Sequence, residues 1–501
     1  MSSTHTIIRG GRLVDVAAHT APFTDILIEG DTIRELGAPG LAAPADAATV
    51  DAAGMLLHPG LINGHTHGPG ALSKGMGDRL SLELLLTAAP WMGGGRETED
   101  KYLSTLLGAA EMLSKGTTAC YDLSFEFPAP TVDGMAACAQ AYRDAGMRAV
   151  LAPMVADVAF FDAIPGLHDA LPAPLQKEVE AFRLAPAAVT LERIRDVVRG
   201  WTGDRNLVRP AVAPTIPHHC TDAFLTGCRD IAHEHGLGMH SHVAESKVQA
   251  VVGRKRYGTT LLQHMDAMGL VGPEFTVAHG VWLDDEDMRR LAGKGASVSH
   301  NPGSNALLGS GIADARRMLE LGVNLGIGTD GASCSDNLNM YEAMRVASYM
   351  SHVRGPDVDR WLQTSEVLEA ATEGSARALG FDDLGRIAPG YKADIVFLDL
   401  GSINWLPFND PVNQIVHTED GTGVHSVMVG GEFKLRDRKL VGVDLAKLAA
   451  DAERARERLA RVNRERRAVV QRLMPVVGSF CPALAHEPYH VHRYGGPVPC
   501  R

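Results

Sequence analysis

Histidines and carboxylates at a few short spacings are the residues of this chain best equipped for chemistry. His65-Thr66-His67 closes a strand-like run beside glycines, and because side chains alternate along extended backbone, both imidazoles project to one side. Two imidazoles so placed can share one metal ion. A second H-x-H, His240-Ser241-His242, is followed three residues later by Glu245, a spacing that turns His242 inward and lets the carboxylate reach back over the strand end. His279, between Ala278 and Gly280, and Asp330, within Gly328-Thr329-Asp330-Gly331, complete the set. Singly, each has an ordinary reading: a strand histidine packs in a core, and an aspartate after Gly-x-Gly-Thr caps the next helix. The supply of imidazole points the other way, with 21 His against 13 Phe and 9 Tyr. Seven scattered cysteines without a C-x-x-C pair fit neither a disulfide framework nor a thiolate zinc site, so a bound metal falls to imidazole and carboxylate.

These groups fall at the ends of short apolar runs. Eight such segments, at 57–64, 117–123, 148–156, 208–216, 238–243, 275–279, 296–300 and 323–329, alternate with helical patterns that include 98–115, 133–145, 191–200, 221–235, 284–293 and 313–321. Eight βα units predict an α/β fold, a closed (β/α)8 TIM barrel whose active-site groups sit at the C-terminal ends of the strands. Ahead of it, runs at 6–14, 25–36 and 48–57, with turns such as Glu29-Gly30-Asp31, predict a small antiparallel β unit. Runs at 393–400 and 426–441, with Gly430-Gly431 as a hairpin turn, predict its continuation after the barrel. The domain reading is 1–58 for the first part of a β-sandwich, 59–390 for the barrel, 391–442 for the second part, and 443–501 for a C-terminal extension. That extension reads as one charged helix over 444–473, followed by an irregular tail from Pro475 in which His486, His490 and His492 lie on the surface.

Composition bounds the partners. The chain is 45% hydrophobic and 22% charged, as expected of a globular protein. With 48 Lys and Arg against 60 Asp and Glu, a net charge of −12, it lacks the basic excess that nucleic acid or an anionic membrane would attract. No run reaches about eighteen uninterrupted apolar residues, and no charged-then-apolar leader opens the chain. A soluble cytoplasmic protein with neither nucleic-acid nor membrane partner is expected.

The runs Pro59-Gly60-Leu61-Ile62-Asn63-Gly64-His65-Thr66-His67, His242-Val243-Ala244-Glu245, Ala278-His279-Gly280, His300-Asn301-Pro302 and Gly328-Thr329-Asp330-Gly331 together resemble the amidohydrolase superfamily. More narrowly, they resemble its triazine hydrolase and S-adenosylhomocysteine deaminase branch. Gly385-Arg386-Ile387-Ala388-Pro389-Gly390-Tyr391-Lys392-Ala393-Asp394 is similar to the family's return from barrel to β unit, and the likeness covers roughly residues 5–440. It implies that His65, His67, His242 and Asp330 hold one divalent ion, zinc or else iron, with an open position for water. The metal would lower that water's pKa toward about 7. By the same likeness Asp330 would take the water's proton, Glu245 would protonate the ring nitrogen beside the attacked carbon, and His279 would hydrogen-bond the reacting oxygen without ligating the ion. Binuclear relatives bridge two metals with a lysine at the end of strand four; the segment 208–220 has none, so a single ion is expected. The Pro-His pair of that segment makes His218 a substrate contact, and Lys74 and Asn305 are assigned to substrate as well.

Members of this branch displace an exocyclic group from an electron-poor heteroaromatic carbon, most often as ammonia but also as chloride, alkylamine or thiolate. The expected reaction is therefore deamination of a small-molecule heterocycle such as a purine, pyrimidine, pterin or triazine. The alternatives are hydrolysis of an amide, carbamate or urea C–N bond, or loss of another group such as chloride, at the same centre. A non-catalytic scaffold would be expected to lose ligands, and this chain keeps them. One departure narrows the substrate: where nucleoside deaminases carry a Trp-Leu pair after strand one, this chain has Lys74-Gly75-Met76-Gly77-Asp78 and then Leu84-Leu85-Leu86, which weakens the case for S-adenosylhomocysteine. A ring bearing a carboxylate that pairs with Lys74, Arg79 or Lys247 is an equal contender, while Arg254-Lys255-Arg256 reads as a solvated helix face. Homo-oligomers, dimers or larger, are common in the branch and are expected here.

Overall fold

Eight parallel strands form the centre of the computed structural model, which describes residues 4–495. Numbered in chain order, barrel strands one to three are Leu61–Thr66, Thr117–Phe125 and Arg148–Val155, and strand four is the pair Val208–Pro210 and Ala213–Pro214, both alongside strand three. Strands five to eight are Met239–Val243, Phe275–His279, Ser297–His300 and Asn324–Ile327. Backbone hydrogen bonds join the two four-stranded halves at both seams. Between strands four and five, His240 N–H reaches Val212 C=O (3.1 Å) and His242 N–H reaches Thr215 C=O (2.8 Å). Between the ends of strands eight and one, Asp330 N–H donates to His65 C=O (2.9 Å). Gly328 makes this second seam possible: a Cβ there would lie 2.7 Å from the His65 nitrogen and 2.5 Å from Asn301 Oδ1. Every residue of strands one, five, six and seven is buried, as a parallel sheet covered on both faces requires.

The helices lie close to where apolar periodicity places them, with recognisable ends. Thr98–Ser114 starts in a capping box of Glu97 and Asp100, Val132–Ala145 runs from Thr131 to a left-handed Gly146 (φ 68°), and Asp285–Gly293 starts in a box of Asp284 and Asp287.

Outside the barrel, three expectations are corrected. The run expected as one strand over 57–64 is two, Met55–Pro59 and Leu61–Thr66, divided at Gly60, where a Cβ would lie 2.1 Å from Thr118 Oγ1. Met55–Pro59 instead pairs antiparallel with the post-barrel strand Ile395–Asp399, so alternation continued through a point where the chain changes sheets. The N-terminal unit is mixed rather than antiparallel. His5–Arg9 pairs antiparallel with Asp25–Glu29 but parallel with Ala48–Asp51, a choice made by long-range packing. The post-barrel hairpin Val424–Val429 to Glu432–Arg436 turns at Gly430-Gly431 with φ of 57° and 77°, the positive pair such a tight turn requires.

The third correction concerns the C-terminal extension. It forms two helices, Leu445–Val462 and Arg464–Ala485, broken at Asn463, and the second carries Pro475 and Pro482 inside it. Both prolines are on the exposed side, where the carbonyls they leave unpaired can be solvated, while Val470, Leu473, Val477, Cys481 and Leu484 form the buried stripe. By length and composition Arg464–Ala485 could cross a membrane, an 18-residue window of it having a mean hydropathy of 1.4. Leu473, Val477, Cys481 and Leu484 of its stripe pack with Phe161, Ile164, Val248 and Val252 of the barrel's loops and helices.

Candidate metal centre

The strand ends bring the predicted residues to one place. His65 and His67, on alternate positions of strand one, face His242 at the end of strand five: His67 Nε2 lies 3.4 Å from His242 Nε2. Asp330, just past strand eight, places Oδ1 3.2 Å from His67 Nε2 and 3.5 Å from His65 Nε2. Donor atoms of His65, His67 and His242 all fall within 4.8 Å of one another, as do those of His65, His279 and Asp330. Two ligands bound to one tetrahedral ion at 2.0–2.1 Å would be about 3.4 Å apart, so these separations match those of a common shell. His65 supplies the sharpest sign of fit. It is wholly buried, and apart from the 3.5 Å approach of Nε2 to Asp330 Oδ1 its ring nitrogens have no polar partner.

The other imidazoles are aimed through their second nitrogen. His67 Nδ1 donates to Leu123 C=O (2.7 Å), His242 Nδ1 to Thr215 C=O (2.7 Å), and His279 Nδ1 to Asn305 Oδ1 (2.9 Å), leaving each Nε2 lone pair directed inward. Burial, opposed by Asp330, lowers the pKa of His65 to about 4, and burial with the neighbouring imidazoles lowers that of His242 far below its ordinary value. Burial alone would raise Asp330, but hydrogen bonding with His65 and His67 wins and holds its carboxyl far below the usual range. Neutral His65 and His242 beside an ionised Asp330 are in the protonation state a divalent cation needs, whereas at His67 burial is outweighed by Asp330 and the Leu123 carbonyl, which raise its pKa.

Glu245 stands opposite. Its Oε2 is buried, unpartnered and 3.7 Å from His279 Nε2, and His279 Nε2 is 3.8 Å from Asp330 Oδ2. Burial, then the nearby Asp330 and Glu83 carboxylates, push the Glu245 pKa well up, which favours its protonated form. The backbone contributes in a way that strand alternation hides. Ala244, His279 and Asp330 have φ of 53°, 70° and 64°, a left-handed conformation that costs a non-glycine residue roughly 1–2 kcal/mol and re-aims the side chain at the strand end.

Several participants had no sequence signal. Ser304 Oγ donates to Asp330 Oδ2 (2.7 Å), and Asn63 latches the end of strand eight, its Nδ2 donating to Thr329 Oγ1 (2.7 Å) and its Oδ1 accepting from Thr329 N–H (3.0 Å). Buried Glu83 accepts from Ser246 Oγ (2.7 Å) and from Ser81 Oγ (3.0 Å), tying the helix Leu82–Met92 to the residue after Glu245. Ser304→Ala is expected to weaken metal binding or turnover about 10–100-fold, read by chelator competition beside kcat, and unchanged values for both would remove Ser304 from this role.

The three residues assigned to substrate are placed differently from one another. Asn305 is buried against His279 with Nδ2 unpartnered, and Lys74 pairs with Glu111 on the surface. His218 is buried with Nδ1 unpartnered, in the wall of a small cavity shared with Leu82, Glu83, Ile216 and Gln249. Its carbonyl accepts from Arg256 Nη1 (2.8 Å), and Arg254, Lys255 and Arg256 all lie on the exposed helix face expected of them.

The model of the amidohydrolase family matches residues 56–434. The 5'-deoxyadenosine deaminase of Methanosarcina mazei is 32% identical over 442 residues, 87% of this chain and 94% of its own. The 5-methylthioadenosine/S-adenosylhomocysteine deaminase of Carboxydothermus hydrogenoformans is 31% identical over 451 residues, 89% of this chain and 96% of its own. Among solved structures, an adenosine deaminase from Xanthomonas campestris with bound zinc superposes with a TM-score of 0.79 at 28% identity, covering 91% of this chain and 98% of that one. The atrazine chlorohydrolase of Arthrobacter aurescens TC1, complexed with zinc, shares the fold with a TM-score of 0.81 at 23% identity, covering 90% of this chain and all of its own. With three quarters of its length matched and curated relatives above 30% identity across most of both chains, this protein belongs to the amidohydrolase family.

Proposed function

We propose that this protein is a metal-dependent aminohydrolase that removes the exocyclic amine of a purine-like nitrogen heterocycle, releasing ammonia. The observation that carries this reading is the convergence of His65, His67, His242 and Asp330, with donor separations of 3.2–3.5 Å, beneath a proton-bearing Glu245. The names of the relatives, which are deaminases of adenosine derivatives, support the choice of ring. A single divalent ion, zinc in the first instance, would supply a Lewis acid that makes water nucleophilic at neutral pH.

Each residue then has a task. Asp330 presents Oδ1 to the imidazoles and Oδ2 to the cleft, where it accepts the proton of the attacking water. Glu245 delivers its own proton from Oε2 to the ring nitrogen next to the attacked carbon as the oxygen adds, and Asp330 then passes the water's proton to the exocyclic amine, which leaves with the C–N bonding pair as ammonia. His279 Nε2 lies between these carboxyls and hydrogen-bonds the incoming oxygen. His218 and Gln249 Nε2, both buried with unpartnered nitrogen, contact the rest of the substrate.

The same proposal assigns 59–390 to the barrel, 443–501 to the C-terminal extension, and 1–58 with 391–442 to one β-sandwich. Support for the sandwich comes from Ile8, Ile26, Leu57, Ile395, Phe397 and Met428, which share one apolar cluster across both outer sheets. A reducing, cytoplasmic setting is supported by the buried free cysteines Cys120, Cys138, Cys220, Cys228, Cys334 and Cys481.

The test is ammonia release by zinc-loaded protein from adenine nucleosides, free purines, pyrimidines, pterins and triazines. Release from the adenine-type rings is expected. No ammonia from any ring, together with amine release from amides or carbamates, would replace deamination with acyl C–N hydrolysis.

A further inference from the structure

Three Lys or Arg residues are more than nine-tenths buried among the described residues: Arg148, Lys247 and Arg493. Arg148 is met by Asp394 at 2.9 Å, and Arg493 by Asp314 at 3.5 Å and by the carbonyls of Val281 and Leu283. Lys247, 6% exposed, has no carboxylate partner among the described residues, and burial alone acts on its pKa, lowering it. Its stem is packed away while its ammonium, unlike the buried unpartnered nitrogens of the site, keeps a solvent-reaching edge, so the charge is presented to something outside the described chain.

Its location says what that is. Lys247 lies two residues past Glu245 and opens the eleven-residue helix Lys247–Tyr257, whose N-cap Ser246 is anchored to Glu83. The positive end of that helix adds to the lysine's own charge. Its Nζ lies 5.8 Å from the ring centroid of Trp282, three residues past His279. That ring is itself fixed, with its backbone N–H on Ala244 C=O (2.8 Å) and Nε1 on Ser310 C=O (2.8 Å). The C-terminal tail closes the arrangement from outside. Tyr494 and Tyr489 pack edge-on against Trp282 at 5.1 and 6.1 Å, and Arg493 C=O accepts from Ile312 N–H (2.7 Å).

We propose that Lys247, set against Trp282 on the catalytic rim, recognises a carboxylate carried by the heterocyclic substrate. This rests on the aminohydrolase reading for the ring, but the recognition itself is separable from it. Three N–H donors and a fixed aromatic wall suit a planar oxyanion at the edge of a ring, and the bound anion supplies the missing counter-charge.

Two measurements test it. In kinetics on neutral amino-heterocycles and their carboxylated counterparts, kcat/KM is expected to favour the carboxylated member by about tenfold or more, a preference lost through KM in Lys247→Met and kept in Lys247→Arg. In calorimetric titration of zinc-loaded protein, pyrimidine-4-carboxylate is expected to bind about tenfold tighter than pyrimidine-4-carboxamide, again only while position 247 is cationic. A carboxylate preference that persists in Lys247→Met belongs to the metal centre and overturns the assignment, as does no preference in the wild type. Ammonia release without a charge preference refutes Lys247 alone. A Lys247-dependent binding preference without ammonia from any ring refutes deamination and leaves the anion subsite standing.

Discussion

Asp330→Asn is expected to abolish turnover, with a loss beyond the roughly 10²- to 10⁴-fold that one proton transfer contributes. The reason is that the carboxylate serves two ends at once. Oδ1 lies against His65 and His67, and Oδ2 accepts from Ser304 and faces His279. An amide keeps an oxygen for a cation but lacks the negative charge and cannot take a proton. The substitution is also structurally mild, because asparagine tolerates the left-handed backbone that Asp330 occupies at φ 64°. Thermal midpoint and circular dichroism are therefore expected to stay near wild type while kcat disappears and metal occupancy falls only in part. Activity within about tenfold of wild type would show that the proton goes elsewhere.

Glu245→Gln is expected to lower kcat by roughly 10²- to 10⁴-fold with metal content unchanged. Glutamine preserves shape and can keep the backbone contact in which Glu245 N–H donates to Gln249 Oε1 (3.0 Å), but it has no acidic proton for the ring. Burial, Asp330 and Glu83 already favour the protonated wild-type side chain, and the neutral amide of glutamine is expected to be accommodated in the same surroundings. Elemental analysis of the purified variant separates the two possible consequences. Loss of metal with loss of activity would make Glu245 a ligand instead of an acid.

Much of this centre was readable along the chain because its parts obey local rules. His65 and His67 share a face since extended backbone repeats every two residues, and the alternation of strand and helix located the barrel rim before any contact was known. Other parts were not readable, since each depends on an approach between distant segments. Ser304 meets Asp330 across 26 residues, and Glu83 meets Ser246 across 163. Nothing in the residue types announces either pair. Pro475 and Pro482 misled for a related reason: proline is a helix breaker by its missing donor, yet packing of Val470, Leu473 and Val477 on the other side of the helix outweighed two lost hydrogen bonds.

Residue type and period alone thus settled which imidazoles and carboxylates face a common rim, because both follow from backbone geometry that every strand shares. Folding in three dimensions settled which nitrogen of His67, His242 and His279 is free, that the surroundings of Glu245 favour its protonated form, and that Lys247 is packed without a carboxylate partner among the described residues. Those outcomes depend on distance and desolvation, which arise only when segments remote in the chain exclude water from one another.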